Sequence, residues 1–220
     1  MYLLVVVVSL LLNSVPAQSR PVEVRTDKIE MENYIISMDG PLITFGDIAV
    51  STGFKNADPC TARGCKWERS TDGLVYVPYV ISKKYTPDEL QVIKQGLQSF
   101  AGVSCIRFVP HEGQRHFLYI MSDSGCYSYL GRQGGGQVVS LQRHGCVYHR
   151  TVQHELLHAL GHAENIIFRV YSFSRNNEAT MIPIPDKKVV IGEARSMSCN
   201  DILRINRLYC SMLSLYCYLN

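Results

Sequence analysis

Residues 154–164, HELLHALGHAE, decide how the rest of this 220-residue chain is read. Taken as a helix, the stretch projects His154 and His158, four residues apart, from neighbouring turns of one face, where both reach a single metal ion. Glu155, one step round, is placed to hold and deprotonate a water. Zinc would supply acidity and carbonyl polarisation while the carboxylate moves the proton, so the expected chemistry is hydrolysis. Gly161 is expected to end the helix, because glycine takes the left-handed conformation that turns the chain back. The third ligand is then Glu164 or His162. On a continuing helix His162 would rise about 12 Å above His154, so the spacing favours Glu164, whose carboxylate is an accepted zinc ligand. A turn at Gly161 leaves His162 open.

Working outward, residues 1–17 read as a secretory signal: an apolar run over 3–12, then Asn13, Pro16 and a small-residue exit at Ala17. The run is too short to span a bilayer, so no stable membrane anchor is expected. Eight cysteines beside a signal sequence argue for disulfides made in an oxidising compartment, hence a secreted, extracellular protein. No CxxC pair occurs, which excludes a cysteine-rich zinc module. A formal net charge of +3 is too slight to argue for nucleic acid, and Lys187 with Lys188 reads as a solvated face. The length suits one domain plus a leader. Residues 18–55 are polar, mixed in charge and poor in core-forming pattern, and read as a propeptide. Cleavage after Lys55 would suit a trypsin-like activator.

The body of the chain predicts a mixed α+β domain. Residues 74–81, LVYVPYVI, read as a strand, with Pro78 pointing to an edge or a bulge. Residues 86–100 read as a helix in which Thr86 caps, Pro87 takes the first turn and Glu89 completes a capping box. Its apolar Leu90, Ile93, Leu97 and Phe100 share one face. Further strands are expected over 105–109, Phe117–Met121 and 137–141. Residues 134–136, a glycine run, lack a following Lys-Ser/Thr and read as a turn, not a phosphate loop. His111, His116, His144 and His149 have no ligand spacing of their own. Near the end, Ser198 is set to cap a closing helix with Asp201 in its first turn and Ile202, Ile205 and Leu208 as its apolar stripe.

HELLHALG resembles the metzincin pattern HExxHxxGxxH, and with FSRNNEATMIPIPDKKVVIGEARSMSCNDILRINRLYC over 173–210 the chain is similar to the astacin family, within it the hatching-enzyme branch. The resemblance implies a zincin fold: a twisted mixed sheet, two main helices and, here, a shortened C-terminal subdomain. It implies a secreted zinc endopeptidase acting on an extended protein or peptide substrate, egg-envelope proteins included. By the same resemblance Cys126 pairs with Cys146 around YSYLGRQGGGQVVSLQRHG, and Cys105 in SCIRF pairs with Cys210. Cys60 and Cys65, in NADPCTARGCKW, resemble the extra N-terminal pair of the hatching branch. Cys199 and Cys217 are left over, paired or not. Phe45, Gly46 and Asp47 resemble the propeptide FxGD switch, whose aspartate takes the metal in place of water; otherwise Asp47 is a turn aspartate after glycine. Residues 138–141 are either an ordinary strand or the edge that lays out substrate.

The resemblance breaks over 162–172. Family members carry there a third histidine, an acidic run and a Met-turn with a tyrosine that steadies the transition state. Met181, Met197 and Tyr171 do not stand in that context. The peptidase domain, residues 56–220, therefore reads as lacking the Met-turn region through an internal deletion. Weaker zinc binding is expected, as is loss of an oxyanion stabiliser. The metal-bearing helix would also expose apolar surface. A catalytically impaired, non-enzymatic secreted homologue is the competing expectation.

Overall fold

A run such as Phe117–Met121, FLYIM, puts apolar side chains on both sides of a strand, so it belongs inside a sheet covered on two faces. The computed structural model describes residues 29–31, 34–36, 41–44, 46–50, 64–162 and 194–210. Its strands are β1 (Ile29–Met31), β2 (Tyr34–Ile36), β3 (Leu42–Thr44), β4 (Ile48–Val50), β5 (Val75–Ile81), β6 (Ile106–Pro110), β7 (Phe117–Met121), β8 (Cys126–Tyr129) and β9 (Gly136–Leu141). The helices are α1 (Pro87–Gln98), α2 (His149–Ala159) and α3 (Cys199–Tyr209). β1 and β2 pair with each other, and the other strands form one sheet in the order β3-β4-β8-β9-β7-β5-β6. The sheet is mixed: β3/β4 and β8/β9 are antiparallel, while β4/β8, β9/β7, β7/β5 and β5/β6 are parallel. This is the expected α+β, zincin-like architecture.

Alternate residues of β7 enter two apolar clusters. Leu118 and Ile120 join Val139 and Leu141 of β9 beneath Ile93 and Leu97 of α1 and Val152, Leu156 and Leu157 of α2. Phe117, Tyr119 and Met121 face the other way, with Tyr127, Val138 and Ala49. Each of these large side chains contributes about 1.5–3 kcal/mol on burial. Ile205 and Tyr209 of α3 extend the first cluster. Residues 152–159 of α2 are consequently all buried, and the apolar exposure expected of this helix is not found.

The capping box at α1 forms as the sequence predicts, with Thr86 accepting from the Glu89 N–H and Glu89 from the Thr86 N–H. Ser198 and Asp201 make the same box on α3. Cys105–Cys210 ties the sheet to the end of α3, and Cys126–Cys146 closes a loop with a sequence separation of 20. A loop of that size adds about 3 kcal/mol by restricting the unfolded chain. Cys65 is disulfide-bonded, Cys199 is exposed, and Cys60 and Cys217 lie outside the described residues.

Three expectations need correction. β5 is not an edge strand, since β6 and β7 flank it. Val75 donates to Cys105 O and Tyr79 O accepts from His111 N, so odd-numbered residues of β5 face β6. Pro78 faces the β7 side, where pairing begins only at Tyr79, and its missing N–H is lost from no ladder. β9 is likewise interior; β8 lies outside it, with β4 added beyond. Finally, the polar stretch 18–55 contributes four three-residue strands, too short to show a period.

Candidate metal centre

The centre is built on the last two turns of α2. His154 and His158 stack edge to face with ring centroids 4.5 Å apart and their Nε2 atoms 3.0 Å apart. Asp47 enters from the turn between β3 and β4, in hydrogen-bond contact with His154 Nε2 and with its Oδ2 3.0 Å from His158 Nε2. Strand pairing holds it there: Ser128 of β8 donates its N–H to Asp47 O at 3.0 Å, and Ile48 and Ala49 pair with Ser128 and Tyr129. All three side chains are buried. Among the described residues they form the one group of ligand atoms within 4.8 Å of one another.

The turn after α2 is anchored from several directions. Gly161 is left-handed (φ 90°), with its N–H on His158 O at 2.7 Å and the His162 N–H on Leu157 O at 3.0 Å, the paired bonds of a glycine-terminated helix. His158 O also accepts from the Gly131 N–H at 2.8 Å. Ala159 O takes the indole N–H of Trp67 at 2.9 Å, and Leu160 O the hydroxyl of Tyr209 at 2.9 Å. On the flank, buried Gln153 donates to Ser99 Oγ after α1 and accepts from the Met197 N–H before α3. The helix end is thus held by residues distant in sequence.

His158 Nδ1 lies 2.8 Å from the carbonyl of His162. That oxygen can only accept, so Nδ1 carries the proton and the Nε2 lone pair faces Asp47 and His154. Burial raises the Asp47 pKa, but the hydrogen bonds and charges of His154 and His158 outweigh it and hold the carboxyl below its ordinary value. Burial also pushes the His154 imidazole down, against the pull of Asp47. Asp47 is thus favoured as the anion, the form in which a carboxylate binds a metal. Lone pairs converging at this range are stabilised by a cation shared between them.

Glu155 is fully buried, and among the described residues neither of its oxygens has a hydrogen-bond partner. Burial first, then the negative charge of Asp47, pushes its carboxyl well above the ordinary range. An orphaned carboxyl beside two convergent imidazoles fits a zinc site with an acid–base group next to it. The donor set suits zinc: His154, His158 and Asp47 would hold the ion.

His162 is buried, yet its ring stands outside the ligand group and its carbonyl, not its imidazole, serves the centre. Glu164, Phe45 and Lys55 lie outside the described residues. The glycine run does form a turn, with Gly134 and Gly135 at φ 90° and 69° and the Gly135 N–H on His116 Nδ1. Sequence reading missed the anchors Trp67, Gly131 and Tyr209. Only Trp67 carried a signal, since a buried indole N–H needs an acceptor.

The peptidase family described as Astacin matches residues 65–166. High choriolytic enzyme 1 of Oryzias latipes is 36% identical over 211 aligned positions, covering 76% of this chain and 78% of its own. Low choriolytic enzyme of the same fish is 35% identical over 199, covering 70% and 73%. A solved structure described as High choriolytic enzyme 1, a hatching enzyme zinc-protease from the medaka, superposes with a TM-score of 0.63 at 34% identity, over 70% of this chain and 98% of that one. The 211 aligned positions exceed what 76% of 220 residues can hold, so part of the relative has no counterpart here. The family match stops at residue 166, just beyond the metal helix.

Proposed function

This chain belongs to the astacin family of zinc metalloendopeptidases, and from that premise we propose that it is the secreted precursor of an enzyme that cuts egg-envelope proteins. The observation that carries the reading is the buried convergence of His154, His158 and Asp47 beside the unpartnered carboxyl of Glu155. Zinc, when bound, supplies the Lewis acidity that makes water a nucleophile at neutral pH and polarises the scissile carbonyl. Glu155 takes a proton from the attacking water and delivers it to the departing amine, as a C–O bond forms and the C–N bond breaks. His154 and His158 fix the reaction site in space, and the Gly161 turn carries the chain on toward Glu164 as third ligand.

The N-terminal segment keeps this machinery idle. With Asp47 in place, the position between the two histidines is filled, and burial first, then the aspartate's charge, pushes the Glu155 carboxyl up, which opposes the ionised form a base requires. β4 also occupies the free side of β8, along which an extended peptide would otherwise add as a strand. A trypsin-like cut near Lys55 separates both obstructions from the domain. Residues 1–17 direct secretion, in keeping with the disulfides at Cys105–Cys210 and Cys126–Cys146. Among the described residues no helix is long and apolar enough to cross a membrane. The egg-envelope substrate draws on the choriolytic relatives.

A second reading, a non-enzymatic secreted homologue, draws on the relatives' positions that have no counterpart in this chain. Casein cleavage by the trypsin-cut chain and by its Glu155→Gln variant separates the two. Cleavage that the variant loses by at least about 100-fold, the scale of a general base, supports the enzyme. Equal, negligible cleavage by both supports the impaired homologue.

A further inference from the structure

Arg132 lies in the loop between β8 and β9 with its side chain 20% exposed, and the carboxylate it meets, Glu68, is 3.9 Å away and 88% exposed, so the ion pair contributes little in water. Its hydrogen bonds go to backbone instead. The guanidinium donates from Nε to Lys66 O at 3.0 Å and from an Nη to Gly64 O at 3.4 Å, while the Arg132 N–H donates to Cys65 O at 2.7 Å. One residue thus holds three consecutive carbonyls. We propose that Arg132 is a positioning residue for the metal centre: it locks the segment before Trp67 to the loop at Gly131, and so fixes the end of α2 that carries His158. The proposal rests on the zinc reading of the site.

The contacts close a ring. Gly131 donates to His158 O at 2.8 Å and Trp67 to Ala159 O at 2.9 Å, and Arg132, the residue after Gly131, donates to Lys66, the residue before Trp67. Two donors that reach adjacent carbonyls of α2 from separate segments are thereby joined into one piece. Gly131 is steadied from its other side: buried Gln137 of β9 donates from Nε2 to Gly131 O at 2.8 Å and accepts from the Gln133 N–H at 2.9 Å. The ring therefore hangs from the sheet and ends on the turn whose His162 carbonyl holds His158 Nδ1 at 2.8 Å. Outer partners of this kind orient a metal-binding imidazole. Hydrogen bonds from a charged donor are stronger than neutral ones, which suits an arginine to a link that water reaches.

The test is the zinc affinity of the uncut chain, read by competition with a chromophoric chelator, beside the visible absorption of the cobalt(II)-loaded protein, which reports the geometry of the donors. Arg132→Met keeps the apolar stem and the backbone bond to Cys65 O but loses both side-chain bonds. It should bind zinc about tenfold more weakly, the lower end of what outer partners contribute, and shift the cobalt band. Arg132→Lys, whose ammonium restores a donor without the planar fork, should fall between that variant and the parent. Arg69→Met removes a guanidinium that closes its own turn onto Gly73 O at 2.8 Å, and should match the parent. Because a ring opens once, combining Arg132→Met with Trp67→Phe should leave the loss at about tenfold, where independent effects would multiply to about 100-fold. A loss below about threefold in Arg132→Met, a lysine variant no better than the methionine one, or losses that multiply in the double variant overturns the proposal. Where Arg132→Met does not fold, Arg132→Lys takes its place in the cycle with Trp67→Phe, and parental affinity or multiplying losses again overturn it. A parent that takes up no zinc overturns the zinc reading itself, whereas a zinc-binding parent matched by its variants overturns only the role of Arg132.

Discussion

The indole N–H of Trp67 donates to the carbonyl of Ala159 at 2.9 Å, closing the last turn of the helix that carries both metal-facing histidines. A helix end leaves its last carbonyls without intrahelical partners. Here Gly131, Trp67 and Tyr209 supply partners for three consecutive ones. The helix end that carries the two histidines is therefore placed by contacts from residues 67, 131 and 209, distant from it in sequence.

Trp67→Phe keeps an aromatic ring and removes the donor. The buried carbonyl of Ala159 is then unsatisfied, at a cost of about 1–3 kcal/mol. Urea unfolding followed by circular dichroism should show that loss at an unchanged denaturant slope. A variant as stable as the parent would mean that this hydrogen bond does not hold the helix end.

Gly96 marks the crossing of α1 and α2. A Cβ there would lie 2.4 Å from Val152 Cγ1 and 2.9 Å from Val152 Cβ. Alanine is favoured over glycine in a helix by about 1 kcal/mol, but the clash reaches Val152 Cβ, which no rotamer moves. Overpacking of this kind costs about 1–3 kcal/mol, so Gly96→Ala should lower the melting temperature. Gly102→Ala, with no atom within 4 Å of the added Cβ, should not.

Much of this fold was legible where local chemistry is strong. Thr86, Pro87 and Glu89 announce α1, Ser198 and Asp201 announce α3, and the run FLYIM marks a strand, which the structure buries on both faces. The pair His154 and His158, with Gly161 behind them, gave the metal helix and its end. Strand order is a different matter, because nothing in GQVVSL says whether a neighbour lies on one side or both, and the stretch reads equally as an edge or as an ordinary strand. The three residues of β4 carry no readable period. Asp47 could be tied to the histidines from sequence only through the likeness of its motif; the pairing of β4 with β8 is what brings it there, across a chain separation of 107 from His154. Its contact partners were beyond any local signal.

Burial pushes the Tyr209 hydroxyl up to about 12 from an ordinary 10.0. Burial also raises Tyr85 and Tyr127. The folded protein thus binds more protons than the unfolded chain above pH 10, and stability falls there as pH rises. The contribution of Tyr209 is fully present below about pH 10 and is gone once pH passes about 12. Urea midpoints measured from pH 8 to 12 should decline above 10, less steeply in Tyr209→Phe. An identical decline in that variant would show that Tyr209 is not one of the groups responsible.

Elemental analysis of the purified, uncut chain, beside a His154→Ala/His158→Ala double variant, tests the central claim most directly. One zinc per chain in the parent and none in the double variant is the predicted result. A parent without zinc, or a double variant that keeps it, would contradict the assignment of these histidines and Asp47 as a metal centre.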